Sequence, residues 1–457
     1  MATTSHATPI DAAYAILEAS EMRYRGRVIG TVAARDPNAP AENYADCFVR
    51  DFVPSALVYL LDGRETIVRD FLQTVLELRH QQERWAGHEP APGVMPASFK
   101  VVGDDQGERL IADFGDHAIG RVAPVDSMLW WMILLRAYVT VSDDADFAHQ
   151  PDVQRGMRQI LDLLLRDRLE VAPTLLVPDG SFMIDRRMGV YGHPLEVQAL
   201  FFGALCGARQ LLETTDGNEG LVRRVDQRLR TLRTYIRIYY WLDVPRLNEI
   251  HRYKTEQFGQ ESVNILNIHP ESIPDWVPDW LPDDAGYLVG NLGPGRMDFR
   301  FFALGNLLSI LFGLSTDEEA QRIMLLYEER WPDLIGTMPV KISYPAMEGE
   351  EWRLMTGSDP KNAPWSYHNG GNWPALLWTF VGAAVKVGRT DLAEKAYAQA
   401  AERLPADRWA EYYDGRHGRL VGRRSNHFQT WSATSLILGE KFLSESTQLR
   451  SLGLYSH

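Results

Sequence analysis

The sequence predicts an all-α fold, an (α/α)6 barrel (toroid) of six inner and six outer helices. Three observations predict it. Apolar residues recur at helical spacing nearly throughout the 457 residues; helices apolar on every side alternate with charged, one-sided ones; and each apolar helix follows a polar or aromatic segment. A helix that is apolar all round must be surrounded by protein, and six of them shielded by six amphipathic partners close naturally into a ring. The alternative, an open helical repeat array, would show a fixed short period, and none is visible.

In chain order the expected outer helices are Ile10–Glu21, Glu65–Arg79, Val153–Arg166, Leu221–Trp241, Asp317–Arg330 and Leu392–Leu404. The expected inner helices are Phe48–Leu61, Asp126–Val139, Leu195–Leu211, Phe299–Leu311, Pro374–Val387 and His427–Phe442. The contrast is plain between DEEAQRIMLLYEER at 317–330, acidic at its start and apolar on one face, and DSMLWWMILLRAYV at 126–139, apolar all round. Pro194 suits a first helical turn, where its missing N–H is no loss, and LEVQALFFGALCGA continues it as a buried helix. The charged run RRVDQRLRTLR from Arg223 reads as a solvated face or an oligomer contact. The expected organisation is one catalytic domain over 23–445, an N-terminal extension with the first outer helix over 1–22, and a tail over 446–457.

A hydrophobic fraction of 45% with 24% charged residues fits a globular chain with a sizeable core. A formal net charge of -14 argues against nucleic acid or an anionic membrane surface as partner and favours a neutral ligand. Cys47 and Cys206 are too few for a disulfide framework, and the expectation is two buried free thiols in a reducing compartment. The first 36 residues lack signal-peptide features, and no long uncharged apolar stretch could span a bilayer, so a cytoplasmic location is expected. No histidines and carboxylates show a metal-ligand spacing such as H-E-x-x-H.

Chemistry concentrates in FMIDRRMGVYGHPLEVQ at 182–198, where an acid, two arginines and a histidine immediately precede an apolar helix. Six such segments at one mouth would line a single pocket, with helix N-termini favouring hydroxyl and carboxylate oxygens. Tyr44, Tyr191, Trp365, Tyr367, Trp373, Trp409, Tyr412 and Tyr413 lie in these segments. Singly each is explained by core packing, but clustered beside carboxylates they suit sugar rings, which have apolar faces and hydroxyl edges. Glycoside hydrolysis needs two carboxyl groups, one protonated to assist the leaving group and one ionised as base or nucleophile. Asp51, Asp126, Asp185, Asp298, Glu411 and Asp414 are placed to supply them, and spacing alone leaves the pair open.

The segments NYADCFVRDFVPS, GVMPASFK, LIADFGDHAIGRVAPVDS, PTLLVPDGSFMIDRRMGVYGHPLEVQ, YLVGNLGPGRMDFRFFALGNL, MPVKISYPAMEGEEWRLMTGSDPKNAPWSYHNGG and FQTWS occur in that order. On these the chain closely resembles the alkaline/neutral invertases, glycoside hydrolase family 100, from about Tyr24 to Phe442. The resemblance implies an (α/α)6 barrel that hydrolyses sucrose to glucose and fructose, with inversion at the glucosyl carbon and without a cofactor. It also implies a homo-oligomer. Carried over by position, Asp185 of the IDRRMG motif is the general acid and Glu411 of the EYYD segment the general base, and an inverting pair stands about 6.5 to 9.5 Å apart. Arg50 and Asp51, Asp126, His193, His368 and Gln429 are candidate binders of sugar hydroxyls. For Arg50 and Asp51 the competing reading is an internal salt bridge, and for the histidines it is satisfaction by backbone groups.

The chain departs from the family pattern at Asn426 and His427, where relatives usually carry an arginine, and at Gly295 and Arg296, where they often have Ala-His. Asn372 and Met128 stand where relatives tend to have smaller residues. These departures keep open a hydrolase of a different α-glucoside. Two further readings are a non-hydrolytic sugar-binding protein, which would have lost a carboxylate, and an epimerase using His193 and His368, which would exchange a sugar C–H proton with solvent.

Overall fold

The structure is a computed structural model describing residues 8–37, 42–81, 91–105, 107–115, 123–166, 172–177, 180–184, 186–214, 217–252, 266, 268–293 and 296–454. Six helices form its interior: Val49–Leu61, Ser127–Ser142, Leu195–Leu211, Ala303–Leu311, Leu377–Val387 and Thr430–Ser444. Each packs against the next, and Thr430–Ser444 packs back on Val49–Leu61, so the contacts form a closed cycle. Their sequences explain why they sit inside. All nine residues of Ala303–Leu311 (ALGNLLSIL) are buried, and so are fourteen of the seventeen in Leu195–Leu211. The outer helices Pro9–Ala19, Glu65–Leu78, Pro151–Leu164, Glu219–Tyr239, Asp317–Glu329 and Thr390–Ala406 bury one face each, as their charge pattern requires. Thr8 and Thr316 close reciprocal capping boxes with Asp11 and Glu319, which fixes where two of these helices begin.

The expectation of helix nearly throughout is corrected by a set of short strands. Ser98–Asp104 and Gly107–Asp113 form a hairpin with Cys47–Phe48 on its edge. Gly286–Gly293 and Arg296–Phe302 form a second antiparallel pair, flanked by His193–Pro194 on one side and Ser343–Tyr344 on the other. Three inner helices therefore begin directly from a strand: Val49 follows Phe48, Leu195 follows Pro194, and Ala303 follows Phe302. The expected helix Phe299–Leu311 is thus strand up to Phe302. Pro194 precedes the first helical turn rather than lying in it, and Gln429 caps the last inner helix instead of sitting one turn inside. These pairings staple the helix starts to one another. Gly192, at φ +113°, permits the closest approach, because a Cβ there would stand 2.7 Å from the Gly293 Cα and the Leu292 carbonyl.

Both cysteines are free, Cys47 buried as expected and Cys206 only half-buried. Among the described residues no helix is long and apolar enough to cross a membrane, and no cluster of histidine, cysteine and carboxylate groups could hold a metal ion.

Candidate active site

Asp185 lies outside the described residues, as does Gly295. Glu411 is well placed in the structure: it is 2% exposed, in the connection between the last outer and last inner helices. Its carboxylate accepts the Tyr44 hydroxyl at 2.6 Å, the Asn426 backbone N–H at 3.2 Å and the Asn426 side-chain amide at 3.4 Å. Burial and the neighbouring Glu411 charge push the Tyr44 phenol well above its ordinary value, so Tyr44 remains a donor. The tyrosine that holds Glu411 thus comes from a distant segment. The adjacent Tyr412 instead donates to the Arg423 carbonyl at 2.5 Å, and Tyr413 is buried. Arg408, Trp409 and Phe428 adopt left-handed backbone at φ 55°, 57° and 52°. Such conformations cost on the order of 1 kcal/mol each. They are locked by Phe428 N–H donating to the Arg408 carbonyl and Gln429 N–H to the Trp409 carbonyl, which sets the turn that presents Glu411.

Beside it, first-turn residues of three inner helices meet. Arg50 Nε donates to Asp126 Oδ2 at 2.7 Å, and its Nη1 donates to the Phe182 carbonyl at 3.0 Å. Arg50 is therefore held in an internal salt bridge, the competing reading for it, with Asp126 on the next inner helix. Asp51 is half-buried, and burial, with Glu411 and Asp126 adding to it against Arg50, raises its carboxyl to about 7. Burial likewise raises Asp126, despite Arg50. Glu196, which the sequence reading passed over, is 1% exposed and accepts the Met183 N–H at 2.8 Å. Burial raises it to about 8, with Arg50 opposing. The signal for it was one carboxylate in the first turn of an otherwise apolar helix.

The remaining candidates engage other partners. Asp298 pairs bidentately with Arg300; burial acts to raise it, but Arg300 and its hydrogen bonds hold it below the ordinary value. Both residues line a separate cavity of about 860 Å³ with Arg296 and Glu351, which pair at 3.2 Å. Asp414 is engaged with its own turn, accepting the Arg416 N–H at 3.1 Å. His193 exchanges a hydrogen bond with Thr174 at 2.8 Å, and its carbonyl accepts from Tyr240. His368 is buried and stacks on Tyr367 with ring centroids 4.1 Å apart. Trp373 stacks on Tyr412 at 5.6 Å, whereas Tyr191 is 53% exposed. Gln429 is fully buried, and neither side-chain amide atom has a hydrogen-bond partner among the described residues; the same holds for Asp126 Oδ1. The acid-side loop is tied outward by Arg187 to Asp359 at 3.3 Å, and Gly189, at φ +66°, packs against Met355.

A family model described as alkaline and neutral invertase matches residues 13–446. The chain belongs to the alkaline/neutral invertase family. It is accordingly a glycoside hydrolase. It is 50% identical over 449 residues to neutral/alkaline invertase 1, mitochondrial, of Oryza sativa subsp. japonica, covering 96% of this chain and 71% of that protein. It is also 50% identical over 446 residues to cytosolic invertase 1 of the same plant, covering 97% and 79%. Relatives in this family thus carry both organellar and cytosolic names. Among solved structures, the GH63 mannosylglycerate hydrolase of Thermus thermophilus superposes with a TM-score of 0.55 over 95% of this chain and 100% of that one, at 13% identity. That likeness shows a shared fold. The invertase family and the helix-rich glycosidase fold agree with the sequence reading.

Proposed function

We propose that this invertase family member hydrolyses sucrose to glucose and fructose at the glucosyl carbon with inversion, in a closed (α/α)6 barrel. The observation that carries this reading is Glu411: a buried carboxylate that accepts one hydroxyl, one backbone N–H and one amide, and so acts as an acceptor poised to take a proton from water. Asp185, from the IDRRMG motif, protonates the glycosidic oxygen while Glu411 activates water on the opposite face of the glucosyl ring. Glu196 fixes the backbone two residues before Asp185 through Met183, and Arg50 fixes it through Phe182. The segment that leads to the acid is thereby tied to the starts of two inner helices. Asp51, Asp126 and the Gln429 amide supply polar partners for sugar hydroxyls, and His193 and His368 line the approach.

The test is to follow the anomeric protons by NMR as purified protein first acts on sucrose near neutral pH. β-Glucose as the initial product supports the mechanism; α-glucose means retention or attack at the fructosyl carbon and overturns it. Asp185→Asn should fold normally and lose turnover by roughly 10³-fold. A second reading, a different α-glucoside, is favoured by one observation: Asn426, a departure from the family pattern, contacts Glu411 directly. Competition of other α-glucosides against sucrose separates the two, and solvent exchange of a sugar C–H proton would indicate epimerisation instead.

A further inference from the structure

At the opposite end of the ring, where Ser127–Ser142, Leu195–Leu211, Ala303–Leu311 and Leu377–Val387 finish, a cavity of about 1260 Å³ opens beside the outer helix Glu219–Tyr239 and the short helix Ser446–Ser451. Five cations line it, Arg136, Arg233, Arg237, Lys386 and Arg450, against the single carboxylate of Asp317. An adjoining cavity of about 390 Å³ shares Arg136 and Arg233 and adds Arg230 and Arg209, the last paired with Asp226 at 2.6 Å. In a chain of net charge -14 this is a strong local reversal.

Helix C-termini attract cations, and that accounts for part of the cluster. Lys386 donates to the Ile310 and Leu311 carbonyls, and Arg136 donates to Gln210 at 2.9 Å. Three further guanidinium groups face the cavity, two of them, Arg237 and Arg450, from the last turns of their own helices. Arg233 lies over the Phe202 ring at 5.0 Å, and its buried Nε has no hydrogen-bond partner among the described residues. Arg237 is ion-paired through Nε to Glu319 at 3.7 Å, and that buried Nε has no hydrogen-bond partner among the described residues. Arg450 is exposed at the rim. The N-terminus of Asp317–Glu329 also borders the cavity at Thr316, but its capping box and the three carboxylates of its first turn already satisfy it. Burial lowers Lys386 to about 8, with Asp317 opposing.

We propose that this far mouth binds a small phosphorylated polyanion, its phosphoryl groups held by Arg233, Arg237 and Arg450. Guanidinium forks match phosphate oxygens bidentately, and a dianion or tetra-anion relieves the like-charge crowding. The site stands apart from the carboxylates around Glu411, so it does not depend on the reaction proposed there.

The test is isothermal titration of the full chain with inorganic pyrophosphate and with fructose 1,6-bisphosphate, against sodium chloride of equal ionic strength. The expected result is a Kd below about 0.1 mM for at least one probe, weakening with salt. Binding should fall at least tenfold in R233Q/R237Q and be unchanged in E411Q. Binding of both probes assigns recognition to the phosphoryl groups, and binding of the bisphosphate alone adds the sugar. R450Q, an exposed substitution, keeps the test valid should the double variant fail to fold, and is expected to weaken binding several-fold. Heats no larger than those of chloride, or binding indifferent to both variants, would overturn the proposal. So would a changed sedimentation coefficient in R233Q/R237Q without pyrophosphate binding to wild type, which would make the cavity a subunit contact.

Discussion

Where the inner helices begin, Asp51, Asp126 and Glu196 surround the guanidinium of Arg50, with Glu411 beside Asp51; where they end, five cations face Asp317. The same ring of parallel helices underlies both. Aligned N-termini favour negative groups and aligned C-termini positive ones, so the charge at each end follows the helix dipoles. The ends differ in how those charges are held. At the first end Arg50 and the Phe182–Met183 backbone tie buried carboxyls of different helices together, whereas at the second Lys386 and Arg136 each reach one neighbouring helix, at the Ile310 and Leu311 carbonyls and at the Gln210 side chain. The carboxyls of the first end depend on one another.

Four substitutions sharpen that contrast. Glu411→Gln should lower kcat on sucrose by about 10³-fold while leaving the circular dichroism spectrum unchanged; near-wild-type turnover would remove Glu411 from the mechanism. Arg50→Met strips the buried Asp126 of its partner and should cost about 3–5 kcal/mol in denaturant unfolding; a loss under 1 kcal/mol would mean that the carboxyls do not rely on Arg50. Glu196→Gln keeps the acceptor for the Met183 N–H but removes the titrating group. Because Glu196 titrates at about 8 in the folded chain, above its ordinary carboxyl value, the native state holds its proton longer than the unfolded chain. Wild-type stability should therefore fall as pH rises from about 4.5 through 8, and the variant should lose that part of the slope, gaining roughly 2–4 kcal/mol at pH 9. Melting curves of the two proteins that stay parallel from pH 5 to 9 would contradict this. Asp51, at about 7, contributes a slope of the same sign that the variant retains. At the other end Lys386→Met should cost only about 1 kcal/mol, the loss of one helix-end contact; a loss as large as that of Arg50→Met would erase the distinction between the two ends.

Much of this was legible in the sequence. The alternation of one-sided and all-apolar helices placed the ring, and Leu195–Leu211 was delimited at both ends by its apolar run. The strands were not legible, because His193–Pro194, Cys47–Phe48 and Ser343–Tyr344 are two-residue pairings that carry no period and exist only where segments distant in sequence meet. At the site, Glu411 could be singled out by resemblance, but its partner Tyr44 lies 367 residues away and its neighbours Tyr412 and Tyr413 were the nearer guess. Arg50 and Asp51 were read together as binders of sugar hydroxyls; consecutive residues of a helical turn face different ways, and Asp126 on the next inner helix receives the guanidinium.

The strand staples carry a consequence for how this chain can vary. With no linker between Pro194 and Leu195, inserting one residue there would turn everything after it by about 100° around the helix axis. Glu196 would swing off the Met183 backbone, and the buried face of Leu195–Leu211 would rotate toward its neighbours' backs. The same insertion just after Leu211, in the connection to the next outer helix, leaves that phase untouched. Length changes are thus absorbed at the basic end and refused at the acidic one, and new specificity there is reached by exchanging side chains at constant length.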